Sequence, residues 1–302
     1  MPLPSIPLDL PVQPEIPLAA CRVLAAGLNH PEAVVVAPDG WLYAGGEAGE
    51  IYRVHARSGQ FRTIARTGGF CLGLAFAGPR ELIICDEGKH CIWRCDLAAK
   101  TPKLSRLASQ VAGQNLRTPN YPALDPAGRL WVADSGDWDG NNGCLLCWDH
   151  SGTGTIVSRE CAAFPNGLAF SLDGSWLYIV ESTRPGISRL HLASGFWEPW
   201  VQFAGGVPDG CAMRGNGDLL VSFYAPALIL SITPQREMRV LAYDARQSIL
   251  GGPTNLALAG HSLYVANLHL QHLTEIPLPA EETALWQRKW LAAADDASMH
   301  NR

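Results

Sequence analysis

Residues 166–180 read NGLAFSLDGSWLYIV: a short apolar run, an Asp-Gly turn, then a run rich in aromatic and β-branched residues. Two such runs joined by a Gly-containing turn form a β-hairpin. The unit recurs as EAVVVAPDGWLYAG from Glu32, LGLAFAGPRELIIC from Leu72, NYPALDPAGRLWVAD from Asn120, DGCAMRGNGDLLVS from Asp209 and TNLALAGHSLYVAN from Thr254. Successive copies start 40, 48, 46, 43 and 45 residues apart, close to the roughly 40 to 45 residues of one four-stranded propeller blade. A third strand candidate follows the hairpins, as in IYRVHA from Ile51, CIWRCDL from Cys91, CLLCWD from Cys144, ISRLHL from Ile187 and LILSIT from Leu228, and most units hold a fourth. The pattern predicts an all-β fold, a six-bladed β-propeller with four-stranded blades around a central channel. CRVLAAGL from Cys21 is expected to complete the last blade and cover its open edge. The expected division is a proline-rich arm over 1–18, one six-bladed propeller domain over 19–292 and a flexible tail over 293–302.

Composition agrees with a packed globular chain: of 302 residues 47% are hydrophobic and 17% charged, too apolar for a disordered polymer. Lys and Arg number 23 against 28 Asp and Glu, a formal net charge of -5, and no basic cluster stands out, so nucleic acid is excluded as an expected partner. The first twenty residues, MPLPSIPLDLPVQPEIPLAA, break every apolar run with proline and resemble neither a signal peptide nor a membrane helix. No membrane association is expected. Nine scattered cysteines fit reduced, buried thiols better than a disulfide framework, which points to a cytoplasmic location. Cys144 and Cys147 form a CxxC within an apolar strand, where residues three apart face opposite ways, so a shared metal is not expected.

The first strand of each copy should line the channel, with the residue that opens it at the channel mouth. Across the six copies those residues are Glu32, Leu72, Asn120, Asn166, Asp209 and Thr254, and proline precedes five of them. In four copies the interval to the turn is the same, Glu32 to Asp39, Asn120 to Ala127, Asn166 to Asp173 and Asp209 to Asn216, which sets four side chains at one depth. Two carboxylates and two carboxamides make an all-oxygen set of charge -2, suited to a hard divalent cation, most simply Ca²⁺, with Zn²⁺, Mn²⁺ and Mg²⁺ as alternatives. Asn166-Gly167 and Asp209-Gly210 could instead be hairpin turns, but another turn already closes each hairpin about seven residues later. The loop SGDWDGNNG from Ser135 begins like a calcium loop and then lacks the glycine and glutamate an EF-hand needs.

The set Pro-Glu, Pro-Asn, Pro-Asn-Gly and Pro-Asp-Gly, with Pro253-Thr254-Asn255 before LALAG and LYVANL, resembles the SMP-30/gluconolactonase/luciferin-regenerating-enzyme family over about residues 25 to 280. The resemblance implies a six-bladed propeller with a divalent metal on its axis and a lactonase or related esterase activity. Carried over, the family's metal ligands fall on Glu32, Asn120, Asn166 and Asp209, and its general base on Asp209. The sugar-lactonase branch commonly follows the third-blade Asn with Asp and sets an Arg just upstream. Here the run is Arg117-Thr118-Pro119-Asn120-Tyr121. Tyr121, with Trp138, Phe223, Tyr224, His269 and His272 expected in mouth loops, points to a less polar acyl or lactone substrate. Arg117, Tyr121, Tyr224 and His269 are the expected substrate-binding residues.

The leading reading is therefore a divalent-metal-dependent hydrolase that opens a small-molecule lactone or related ester through a metal-polarised carbonyl and an activated water. The rival is a non-catalytic propeller that binds a protein or peptide on its rim, which has no need for four oxygen ligands at matched depth. Non-hydrolytic chemistry, as in strictosidine synthase relatives, is a third reading, and those generally lack the metal set.

Overall fold

The computed structural model describes residues 5–6 and 13–282. Six antiparallel sheets stand in a ring, each meeting its neighbours face to face. Blade one runs Ala33–Val36, Leu42–Gly45, Glu50–Val54 and Phe61–Arg66 from the axis outward, and blades two to five repeat this order from inner strands Cys71–Gly78, Pro119–Leu124, Pro165–Phe170 and Val207–Met213. In blade six the run Pro253–Asn267 turns back at Gly260, whose φ is 56°, and Thr254 Oγ1 reaches Ala266 O at 3.4 Å, so one run supplies both inner strands. His272–Glu282 follows, and Arg22–Leu24 pairs against it as Arg22 with Glu275 and Leu24 with Leu273. The ring thus closes with chain from both ends, as the sequence predicts, and the last blade keeps no bare edge there.

The second strand of each blade is buried on both faces, which is why these strands alternate apolar and polar residues poorly. Cys144 packs with Ile83, Cys85 and Ile92 toward blade two, whereas Cys147 packs with Leu168, Phe170 and Ile179 toward blade four. The CxxC is split between two interblade cores. All nine cysteines are free, and burial pushes the Cys144 and Cys147 thiols up to about 11, where they stay protonated at neutral pH.

Of the expected arm, Ser5–Ile6 lies parallel to Gln202–Phe203, and the amides of Glu15 and Ile16 donate to Val240 and Leu241 carbonyls at 2.9 Å. The arm's described residues thus add to the outer edges of blades four and five. The expected tail, 293–302, lies outside the described residues.

The inner strands crowd the axis, and glycine makes the approach possible. A Cβ on Gly73 would stand 2.1 Å from Asn120 O, one on Gly167 2.7 Å from Asp209 O, and one on Gly210 2.6 Å from Thr254 O. Gly167 and Gly210 lie within strands and not in hairpin turns, which removes the turn reading of the Asn-Gly and Asp-Gly pairs. Gly73→Ala is expected to cost about 1–3 kcal/mol, because the obstructing atom is backbone and cannot swing aside. A lower denaturant midpoint at unchanged slope checks this, and an unchanged midpoint would mean the strands can part.

Candidate functional site

Glu32, Asn120, Asn166 and Asp209 open the inner strands of blades one, three, four and five, and each is at most 6% exposed. Hydrogen bonds between blades fix the depth of these strand ends. Buried Ser135, at the end of blade three's second strand, donates to Pro165 O at 2.6 Å, and Ser182 repeats this toward Pro208 O at 2.7 Å. Ser222 donates to Thr254 O, and Thr254 Oγ1 donates to Glu32 O at 2.7 Å. Blades three to six thereby each hold the start of the next inner strand.

The pairing register breaks at the same places: between Pro119 and Tyr121, between Pro165 and Leu168, and between Pro208 and Cys211. Such bulges re-aim side chains that strict alternation would turn into the blade.

Seven buried side-chain atoms among the described residues lack a hydrogen-bond partner, and five are oxygens at these strand ends: Glu32 Oε2, Asn120 Oδ1, Asn166 Oδ1, Asp209 Oδ1 and Asn255 Oδ1. An unpaired buried acceptor costs about 1–3 kcal/mol, so five at these strand ends call for hydrogen-bond donors or a cation opposite them. The carboxamides are oriented for this. Asn166 Nδ2 lies 3.4 Å from Ser182 Oγ, and the Asn166 side chain also bonds Asp209. Its Oδ1 is left over.

Electrostatics agree. Burial pushes the Asp209 carboxyl from an ordinary 3.8 up to about 7, although the Asn166 hydrogen bond pulls it down. Burial also raises Glu32, and the negative charges of Asp209 and Glu87 raise it further. Two buried carboxylates therefore face each other with no Lys or Arg among the causes that act on either. No group of three His, Cys, Asp or Glu side chains gathers as a metal cluster among the described residues, as expected for a set in which carboxamides supply half the oxygens.

Glu87 was not legible as a site residue. It lies in the connection after blade two's second strand, its amide donates to Phe70 O at 2.9 Å, and burial raises its carboxyl. Asn255 was missed because the repeats align its neighbour Thr254 with Glu32.

The expected substrate residues divide. Tyr224 and His269 meet at the mouth, with His269 Nε2 2.6 Å from the Tyr224 hydroxyl and Nδ1 3.1 Å from Gln247 Oε1. An amide oxygen only accepts, so Nδ1 carries the hydrogen and Nε2 accepts from the phenol. Burial raises the Tyr224 phenol, and the charges of Glu32 and Asp209 add to the effect, which ties this ring to the buried carboxylates. Arg117 stands on the rim, its side chain 56% exposed and paired with Asp137 at 2.7 Å. Asn142 also bonds Asp137, so Asp137 of the SGDWDGNNG loop is satisfied by Asn142 and Arg117.

Tyr121 stays in its inner strand, and two residues expected in mouth loops, Phe223 and His272, are buried instead. Tyr121 lies within the inner strand Pro119–Leu124, and its hydroxyl crosses the channel to donate to Cys211 O at 3.2 Å. Because both residues lie deeper along their strands than Asn120 and Asp209, the phenol floors the site. Phe223 is fully buried edge-to-face on Phe203, with centroids 4.8 Å apart. His272 is buried, with Nε2 3.0 Å from Ile249 O.

A family model described as the SMP-30/gluconolactonase/LRE-like region matches residues 32–269, most of the ring. The chain belongs to the SMP-30/gluconolactonase/LRE-like family. Among curated members of known proteins, 6-deoxy-6-sulfogluconolactonase of Pseudomonas putida is 25% identical over 256 residues, 79% of this chain and 80% of that one. Strictosidine synthase-like protein 6 of Arabidopsis thaliana is 25% identical over 219 residues, 66% of this chain but only 58% of its own length. Two solved structures have a similar fold. A gluconolactonase from Xanthomonas campestris has a TM-score of 0.74 at 20% identity, covering 92% of this chain and 99% of its own. A regucalcin from Agrobacterium tumefaciens, described as calcium-binding, has a TM-score of 0.72 at 18% identity, covering 90% and 97%. At these identities the structural likeness establishes the fold. Among the described residues no helix is long and apolar enough to cross a membrane.

Proposed function

We propose that this protein is a divalent-cation-dependent hydrolase that opens a small-molecule lactone or related ester. The observation that carries the reading is the group of buried, unpartnered oxygens around Glu32, Asn120, Asn166 and Asp209. Their chemistry fits a hard cation: only oxygen donors, two of them anionic, at the end of a channel. The sulfogluconolactonase relative and the gluconolactonase and calcium-binding neighbours support the same reading. A rim-binding scaffold gives these oxygens nothing to do.

A cation held by the four residues would polarise the ester carbonyl and stabilise the charge that develops on it. Asp209 would accept a proton from the attacking water, and Asn166, which bonds its carboxyl, holds it in place. Glu32 supplies charge without touching the water. Tyr224, its hydrogen directed to His269, presents phenol lone pairs at the mouth, where they accept from a substrate hydroxyl or from water. Tyr121 closes the channel below, so the substrate enters from the mouth carrying Tyr224, His269, Glu87 and Arg117.

The reading is tested with a panel of sugar lactones, alkyl lactones and aryl esters supplied with Ca²⁺. Hydrolysis of at least one lactone is expected, and no turnover on any member of the panel would overturn it.

The carboxylates also predict a pH effect. Because the folded Asp209 value of about 7 lies above the ordinary 3.8, the metal-free folded protein keeps a proton that the unfolded chain has released between those values. Its stability therefore falls as pH rises through that window. A cation competes with this proton, so the rise in melting temperature on adding Ca²⁺ is expected to grow between about pH 5 and pH 7.5, toward the ~2.7 kcal/mol that a ligand at about 100 times Kd contributes. Melts in chelator and in Ca²⁺ check this, and a pH-independent rise would place the cation away from these acids.

A further inference from the structure

Blades one, three, four and five each bring a carboxylate or carboxamide to the aligned position, and blades two and six do not: Leu72 has no polar side chain, and the Thr254 hydroxyl is spent on Glu32 O. One residue past Thr254, Asn255 spans the gap. Its main-chain amide donates to Glu32 O at 3.3 Å, which fixes its backbone against blade one. Its Nδ2 donates to Leu72 O at 2.8 Å, so the side chain reaches from blade six past the axis-facing edge of blade one to blade two. A carbonyl only accepts, so the atom on Leu72 must be the amide nitrogen and the other atom of the carboxamide is the oxygen. That oxygen is buried, in a residue only 3% exposed, and has no partner.

Resting on the cation reading above, the geometry points to Asn255 as a fifth protein oxygen on the axial cation, supplied by blade six. The nitrogen is anchored on blade two, which fixes the oxygen, and the carboxamide bridges blades six and two, whose aligned positions send no oxygen to the axis. Asn255 adds a donor without adding charge, so the site offers five oxygens at a net charge of -2. Such a crowded, mostly neutral set suits the six to eight long oxygen bonds of Ca²⁺. It suits Mg²⁺ poorly, since Mg²⁺ demands a tight octahedron and keeps several waters. Asn255 thereby acts as a specificity determinant for Ca²⁺.

The test is calorimetric titration of the chelator-treated full chain with CaCl₂ and with MgCl₂, in wild type, Asn255→Leu and Glu32→Gln. Leucine keeps the shape and removes the oxygen. Asn255→Leu is expected to raise the Ca²⁺ Kd roughly tenfold or more while moving the Mg²⁺ Kd less, narrowing the preference between the two. A purely structural Asn255 would lower the metal-free melting temperature and leave the Ca²⁺ Kd within about twofold of wild type, and that result would overturn the assignment. If Asn255→Leu does not fold, Asn255→Ser is read in the same titration against the same criterion. Should Glu32→Gln weaken Ca²⁺ binding and the Asn255 variants not, the fifth ligand fails and the cation reading stands. If wild type binds neither ion, both fail.

Discussion

Asp209→Asn is expected to fold, to retain a bound cation and to lose hydrolysis by about 10²-fold or more, the range for removing a general base. Asn keeps an oxygen where Asp209 has its unpartnered one, so the ligand set survives with reduced charge. It cannot take a proton near neutral pH. Folding should not suffer, because the substitution removes one of two buried carboxylates whose charges act on each other. Turnover at saturating Ca²⁺ and the metal-free melting temperature are the readouts. Turnover near the wild-type value would demote Asp209 to a ligand and pass proton acceptance to the hydrogen-bonded Tyr224 and His269.

Glu32→Gln has the complementary signature. It halves the anionic charge of the set and keeps an amide oxygen, so Ca²⁺ affinity is expected to fall by roughly 10²-fold, since calcium sites vary over decades with the number of charged ligands. Activity should return when Ca²⁺ is raised, because no proton is transferred to Glu32. Removing this charge also relieves burial strain with Asp209, so the metal-free protein is expected to melt no lower than wild type. Activity that stayed lost at every Ca²⁺ concentration would give Glu32 a part in the chemistry. The contrast between the two variants separates holding the cation from moving the proton.

The fold was legible because a propeller writes its geometry as a repeat. Six hairpins with Gly-containing turns announce six blades, and the orphan strand at Cys21 announces the closure. Glu32, Asn120, Asn166 and Asp209 were legible for the same reason: a constant interval to the turn becomes a constant depth along the channel. Asn255 was not, since a repeat register compares equivalent positions and this side chain acts from one residue further on, across two blades. Tyr121 falls in the inner strand its repeat predicts, and the bulge between Pro119 and Tyr121 lets neighbouring residues serve the channel together. Phe223 and His272 were drawn to the mouth by residue type, whereas strand position put them in the core. Ser135 and Ser182 carried a signal that could have been read: an acid followed by Ser ends the second strand of two successive blades, Asp134-Ser135 and Glu181-Ser182.

The most direct test is elemental analysis of the purified full chain, joined to lactone turnover before chelation, after it, and after Ca²⁺ is returned. One divalent cation per chain, with turnover lost on its removal and regained on its return, is the result that the buried oxygens of Glu32, Asn120, Asn166 and Asp209 lead us to expect. Lactone turnover that persisted at full rate in a chain shown to hold no metal would contradict it.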